Sequence, residues 1–123
     1  MLRRTAARIF LLVMAGGIFY LSHQPSLRIV APLIPHQDKV LHMMEYFLLF
    51  IALFLNRDLY RGHRLFPVLF SAGALYAVSD ELHQSFIPGR DCSAGDLAAD
   101  LAGLALGLTA CLFYLRRRRK KGL

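Results

Sequence analysis

AGDLAADLAGLALGLTACLFYLRRRRKK, residues 94–121, is the stretch whose reading decides the fold. From Leu101 to Leu115 no charged side chain interrupts the apolar run, and Arg116 to Lys121 are all basic. As a helix, Ala94 to Leu115 rises about 33 Å, enough to cross a hydrocarbon core of about 30 Å. Nuclear localisation, nucleic-acid contact and a membrane anchor all use basic runs. Directly after such an apolar segment the anchor is the reading adopted, because juxtamembrane Lys and Arg are attracted to an anionic leaflet by about 1 kcal/mol each.

The rest of the chain agrees. Of its 123 residues, 56% are apolar and 19% charged, against about half and about a quarter in soluble domains. The net charge is +7, yet outside the tail nine basic residues face eight acidic ones. A nearly neutral body with a cationic end excludes a generally basic nucleic-acid binder. Cys92 and Cys111 match neither a thiol redox motif nor a cysteine-rich zinc cluster.

Three more apolar segments lie upstream, at about Thr5–Ser22, Lys39–Leu55 and Leu65–Gln84. The expected fold is therefore all-α, a four-transmembrane-helix bundle forming a single domain over residues 1–123. The first segment reads as an uncleaved span, since Tyr20-Leu21-Ser22 is a poor cleavage site. With the N-terminus inside, the cytoplasmic side holds Arg3, Arg4, Arg8, Arg57, Arg61, Arg64 and the tail, while the outside holds Arg28, Lys39 and Arg90. The positive-inside bias then predicts a multi-pass plasma-membrane protein with both termini cytoplasmic. The outer loop His23–Gln37, with Pro25, Pro32 and Pro35 among apolar residues, is expected to lie in the outer interface.

The acids show the opposite asymmetry. Only Asp58 falls on the cytoplasmic side; Asp38, Glu45, Asp80, Glu81, Asp91, Asp96 and Asp100 lie at or within the outer ends of spans. Charge inside a span is costly, about 2.5–3.5 kcal/mol at its centre, so such residues are rarely passive. Counting helical rise from the span ends puts Glu45, Asp80 and Asp100 about 8–10 Å below the outer edge. Their spacing places each on one stripe: Asp38, His42, Glu45 and Leu49; Gly73, Ala77, Asp80 and Gln84; Asp96, Asp100, Gly103 and Gly107. Gly103 and Gly107, with Ala99, form the small-xxx-small spacing that lets helices approach closely in lipid. The expected polar site thus comprises Asp38, Lys39, His42, Glu45, Tyr46, Asp80, Glu81, Gln84, Arg90, Asp96 and Asp100.

Several of these residues also have local roles open to them. Ser93 and Asp96 suit a helix N-terminus, and Pro88-Gly89 suits a tight turn. His42 and Glu45, joined by His83 and Asp80, could be grouped around a metal, but no metal or cofactor is assigned. Clustered carboxylates in a poorly solvated place cannot all stay ionised, and protonation of Glu45 or Asp100 is the favoured balance.

Asp38-Lys39-Val40-Leu41-His42-Met43-Met44-Glu45-Tyr46 resembles the first motif of the VanZ-like family of bacterial membrane proteins. Asp80-Glu81-Leu82-His83-Gln84-Ser85-Phe86-Ile87-Pro88-Gly89-Arg90, followed by Asp96, Asp100 and Gly103, is similar to its second. The chain departs from the family at Asp100, where members often carry Asn. The resemblance implies a small four-span protein of the bacterial inner membrane, in a family whose founding member is linked to teicoplanin resistance. It suggests a binding protein whose partners are membrane lipids, a cell-wall precursor or a lipophilic glycopeptide. The alternative is an intramembrane enzyme acting on a lipid-linked substrate. A proton pathway fits less well, because no carboxylate or histidine occupies the inner half of any span. There is no nucleophile elbow of the G-x-S-x-G type.

Overall fold

Each helix begins where the chain offers it a start. In the computed structural model, which describes residues 1–25, 36–60, 62–90 and 92–122, α1 spans Leu2–Ser22, α2 Gln37–Leu55, α3 Leu65–Gln84 and α4 Ala94–Lys120. The loop residues 26–35, together with Arg61 and Asp91, lie outside the described residues, so the expected interfacial course of that loop does too. His36, at φ 59°, turns the chain into α2, and Asp38 sits in the first turn, where the helix dipole favours an acid. Pro67 falls in the first turn of α3, where its missing N–H has no intrahelical partner to lose. Ser93 caps α4, its Oγ accepting the Asp96 N–H at 3.3 Å.

The exit from α3 is a tight turn in which the Arg90 N–H donates to the Ile87 carbonyl at 3.1 Å. Pro88 and Gly89 are its central residues, and Gly89 has φ +82°, as a type II turn requires. A Cβ there would also stand 2.8 Å from the Pro25 carbonyl oxygen. At its other end α4 continues past the expected Leu115 to Lys120, because Arg117, Arg118, Arg119 and Lys120 complement the negative end of the dipole.

The four helices alternate in direction. Arg8 in α1 reaches Asp58 in the α2–α3 connection at 2.9 Å, and Phe54 of α2 meets Tyr114 of α4 edge-on at 6.5 Å between ring centroids. These contacts gather the start of α1, residues 56–60 and the end of α4 at one end, the basic end. Lys39 of α2 reaches Asp96 of α4 at 2.8 Å, and His23 after α1 lies 3.2 Å from His83 of α3, defining the opposite, polar end.

α2 packs against α1, α3 and α4, most extensively against α4. Glycine makes that seam possible. A Cβ on Gly103 would collide with the Met43 carbonyl oxygen, and one on Gly107 would stand 2.7 Å from Phe50 Cβ. Tyr46, Phe50, Ala77 and Leu104 fill the centre, each fully buried. The outside is equally apolar: Leu12 and Leu75 are each 72% exposed, with Phe19, Val78, Phe86, Leu106 and Phe113 also outward. A bundle this small with an apolar core and an apolar exterior fits lipid rather than water. α1, α3 and α4 are long and apolar enough to cross a membrane. α2 is not counted with them, since Asp38, Lys39 and Glu45 load its first half with charge.

Candidate functional site

Helical periodicity brings polar residues of three helices into the interior of the polar end. On α2, His42, Glu45 and Tyr46 lie on the face turned inward; on α3, the last two turns contribute Asp80, Glu81 and Gln84; on α4, the first two contribute Asp96 and Asp100. Burial is severe for this chemistry. Asp100 and Tyr46 are 0% exposed, Gln84 2%, Glu81 3% and Asp80 5%. His42 and Glu45 are half-buried, nearer the mouth.

The hydrogen bonds explain how the cluster is held. His42 Nδ1 lies 2.9 Å from Asp100 Oδ1, joining α2 to α4. The Ser93 N–H donates to Glu81 Oε2 at 2.9 Å, tying the start of α4 to the end of α3. Gln84 Nε2 donates to Asp80 Oδ2 at 3.2 Å. At the rim Lys39 Nζ donates to Asp96 Oδ1 at 2.8 Å and to Asp38 Oδ2 at 3.3 Å. Asp38 itself is exposed, so it belongs to the surface rather than to the buried group. Glu45 faces His42, Asp80, Asp100 and Arg90 within electrostatic range.

What the cluster leaves unmade is as informative. Among the described residues the Tyr46 hydroxyl, Glu81 Oε1 and Asp100 Oδ2 are buried without a hydrogen-bond partner. An unmade hydrogen bond on a buried polar atom costs about 1–3 kcal/mol, more for a charged one. One donor set could hold a metal: atoms of His42, Glu81 and Asp100 lie within 4.8 Å of one another. This is a different grouping from His42, Glu45, His83 and Asp80. His83 turns instead toward α1, where its ring stacks on Phe19 at 4.8 Å and on His23 at 5.4 Å. Helix spacing alone cannot say that Glu81 turns inward while its neighbour but one turns toward α1.

The basic end is built differently. Asn56, 4% exposed, donates through Nδ2 to the carbonyls of Ala7 and Ala52, both at 2.8 Å, while its Oδ1 accepts from Arg8. Arg8 also forks onto Asp58, and the guanidinium holds that exposed carboxyl below the usual carboxylate range. Arg57 lies over the Phe54 ring at 4.4 Å and Arg117 over Phe113 at 4.3 Å. The sequence reading finds no chemistry in the Asn56–Arg64 connection, and the knot around Asn56 is structural.

A family model described as VanZ/LLP1 matches residues 7–115, a range that contains every helix contact described above except those of the basic tail. Among curated proteins, the chain is 28% identical over 120 residues to "Uncharacterized protein C11E3.10" of Schizosaccharomyces pombe, which covers 98% of this chain and 70% of that protein. No solved structure matches it significantly. The match across both polar motifs and all four helices settles the relationship: the chain belongs to the VanZ/LLP1 family.

Proposed function

We propose that this protein is a four-span, non-enzymatic membrane protein whose polar end binds the headgroup of an amphiphile at the outer face of the bilayer. The observation that carries the reading is the unused hydrogen-bonding capacity of the Tyr46 hydroxyl, Glu81 Oε1 and Asp100 Oδ2, buried beneath a rim formed by Lys39 and Asp96. A headgroup with donors, inserted past half-buried Glu45 and His42, would satisfy atoms that the folded chain leaves unmet. The apolar exterior next to that end gives acyl chains a surface to lie on.

The excess of Arg and Lys at the opposite end supports an outward-facing polar end and cytoplasmic termini. Candidate ligands are a membrane lipid, a cell-wall precursor or a lipophilic glycopeptide. A relative in a yeast favours the lipid, because a ligand confined to bacterial walls would not serve both. A role in teicoplanin resistance would follow only from the other two. The test is mass spectrometry of lipids retained after gentle purification, comparing wild type with Glu45→Gln. The wild type is expected to retain a lipid class that the variant loses; identical lipid profiles would contradict the reading.

One contact favours a second reading. The Asp100 carboxylate beside His42 Nδ1 would orient the imidazole and leave Nε2 as a general base, as an intramembrane enzyme acting on a lipid-linked substrate would need. Consumption of a retained lipid by wild type, with His42→Gln retaining it unchanged, would select the enzyme over the binder.

A further inference from the structure

We infer that His42, Glu81 and Asp100 form a binding site for one divalent transition-metal ion inside the polar end. Three separate helices each supply one donor side chain, and a nitrogen and two carboxylate oxygens come within 4.8 Å of one another. Donors about 2.0–2.1 Å from a common metal stand about 3–4 Å apart, so a small rotation about the side-chain torsions closes the set. His42 and Asp100 already approach to 2.9 Å.

The unpartnered oxygens are the independent sign. Glu81 Oε1 and Asp100 Oδ2 are buried, and each belongs to a carboxylate whose other oxygen is already engaged, by the Ser93 N–H and by His42 respectively. For Glu81, one oxygen held by the backbone and one free is the arrangement in which surrounding groups orient a metal-ligating carboxylate, while at Asp100 the ion would take the place of the proton now shared with His42. Charge points the same way. Two carboxylates at 3% and 0% exposure would be neutralised by a dication, whereas no Lys or Arg makes an ion pair with either among the described residues.

The imidazole selects the class of ion. Carboxylates alone suit Mg²⁺, Ca²⁺ or Mn²⁺, while a histidine nitrogen in the set favours Zn²⁺. Three protein donors leave a tetrahedral ion one open position for water or for an oxygen of a bound molecule. An ion here would take two of the oxygens that a headgroup would otherwise reach, and the two readings are told apart because metal uptake can be measured with lipid stripped and none added.

The test uses the full chain in mild detergent, stripped with chelator and dialysed against Zn²⁺, with bound metal measured by elemental mass spectrometry. Folding of each protein is checked by protection of buried Cys111 from a thiol reagent. Wild type is expected to take up about one Zn²⁺ per chain in the presence of excess Mg²⁺ and Ca²⁺. The near-isosteric Glu81→Gln and Asp100→Asn should each weaken uptake at least about tenfold, while His83→Gln and Asp58→Asn bind as wild type does. No stoichiometric uptake by folded wild type would overturn the inference. So would uptake that survives both carboxamide variants, or uptake lost in His83→Gln, which would move the site to the His23–His83 pair.

Discussion

The two ends of this bundle handle buried polarity in opposite ways. At the basic end the buried side chain is Asn56, with both donors and its acceptor engaged, and the charges around it are exposed or stacked on aromatic rings. At the polar end six polar side chains are buried, Ser22, Tyr46, Asp80, Glu81, Gln84 and Asp100, and four of their atoms find no partner among the described residues. A fully engaged knot stabilises the fold; a partly engaged one holds free energy that a ligand or ion can release on binding. The contrast separates a structural end from a functional one.

The largest effect should come from the seam that joins them. Gly103→Leu places a side chain where a Cβ would already strike the Met43 backbone carbonyl, which cannot yield as a flexible side chain can. A loss of about 3 kcal/mol, the upper end of the overpacking range, is expected in reversible unfolding from mixed micelles. Both ends should loosen together; a variant that lost only the polar end would show that the seam does not couple them.

Asn56→Ala should come next. It removes the donors to Ala7 and Ala52 and leaves Arg8 short of an acceptor, costing about 1–3 kcal/mol. Lipid and metal retention at the polar end should not change once the protein is folded. Altered retention would mean that the ends are not independent.

How much of this contrast is legible without coordinates depends on what each feature rests on. The stripes follow from the helical period: Gly73, Ala77, Asp80 and Gln84 are all buried, as are Asp100, Gly103 and Gly107 beneath half-buried Asp96, whereas on α2 the stripe runs from exposed Asp38 through half-buried His42 and Glu45 to buried Leu49. The turn at Pro88-Gly89 and the Ser93 cap follow from local conformational preference, and both occur. The knot around Asn56 is not legible, because its partners lie up to 49 positions away in a different helix. Nor is the inward turn of Glu81 against the α1-facing turn of His83, which is set by how α3 rotates against α1 and α4. The basic extension of α4 escapes a reading based on apolarity, since a helix can outlast its hydrophobic segment when its last turns suit the dipole.

The smallest effect concerns pH at the basic end. Arg8 lowers the Asp58 pKa, so the pair's stabilising contribution is present above the unfolded carboxylate pKa and is lost as pH falls through the lower folded value. Because Asp58 is exposed, the change is small. An acid titration of unfolding midpoints should show it as a shallow difference between wild type and Asp58→Asn that vanishes once the pH has fallen below the lowered pKa of Asp58. A difference that persisted at that pH would show that Asp58 matters for something other than its charge.

The central claim is that buried polarity at the polar end is kept for binding and not for stability. It is tested most directly by measuring the unfolding free energy of Asp100→Asn beside that of Asn56→Ala, with chelator present and lipid stripped. Asn at position 100 keeps an acceptor for His42 while removing a buried charge that has an unmatched oxygen. The account predicts that stripped Asp100→Asn is as stable as wild type or more so, while Asn56→Ala is destabilised by about 1–3 kcal/mol. Asp100→Asn falling by as much as Asn56→Ala under those conditions would contradict it, making both ends structural.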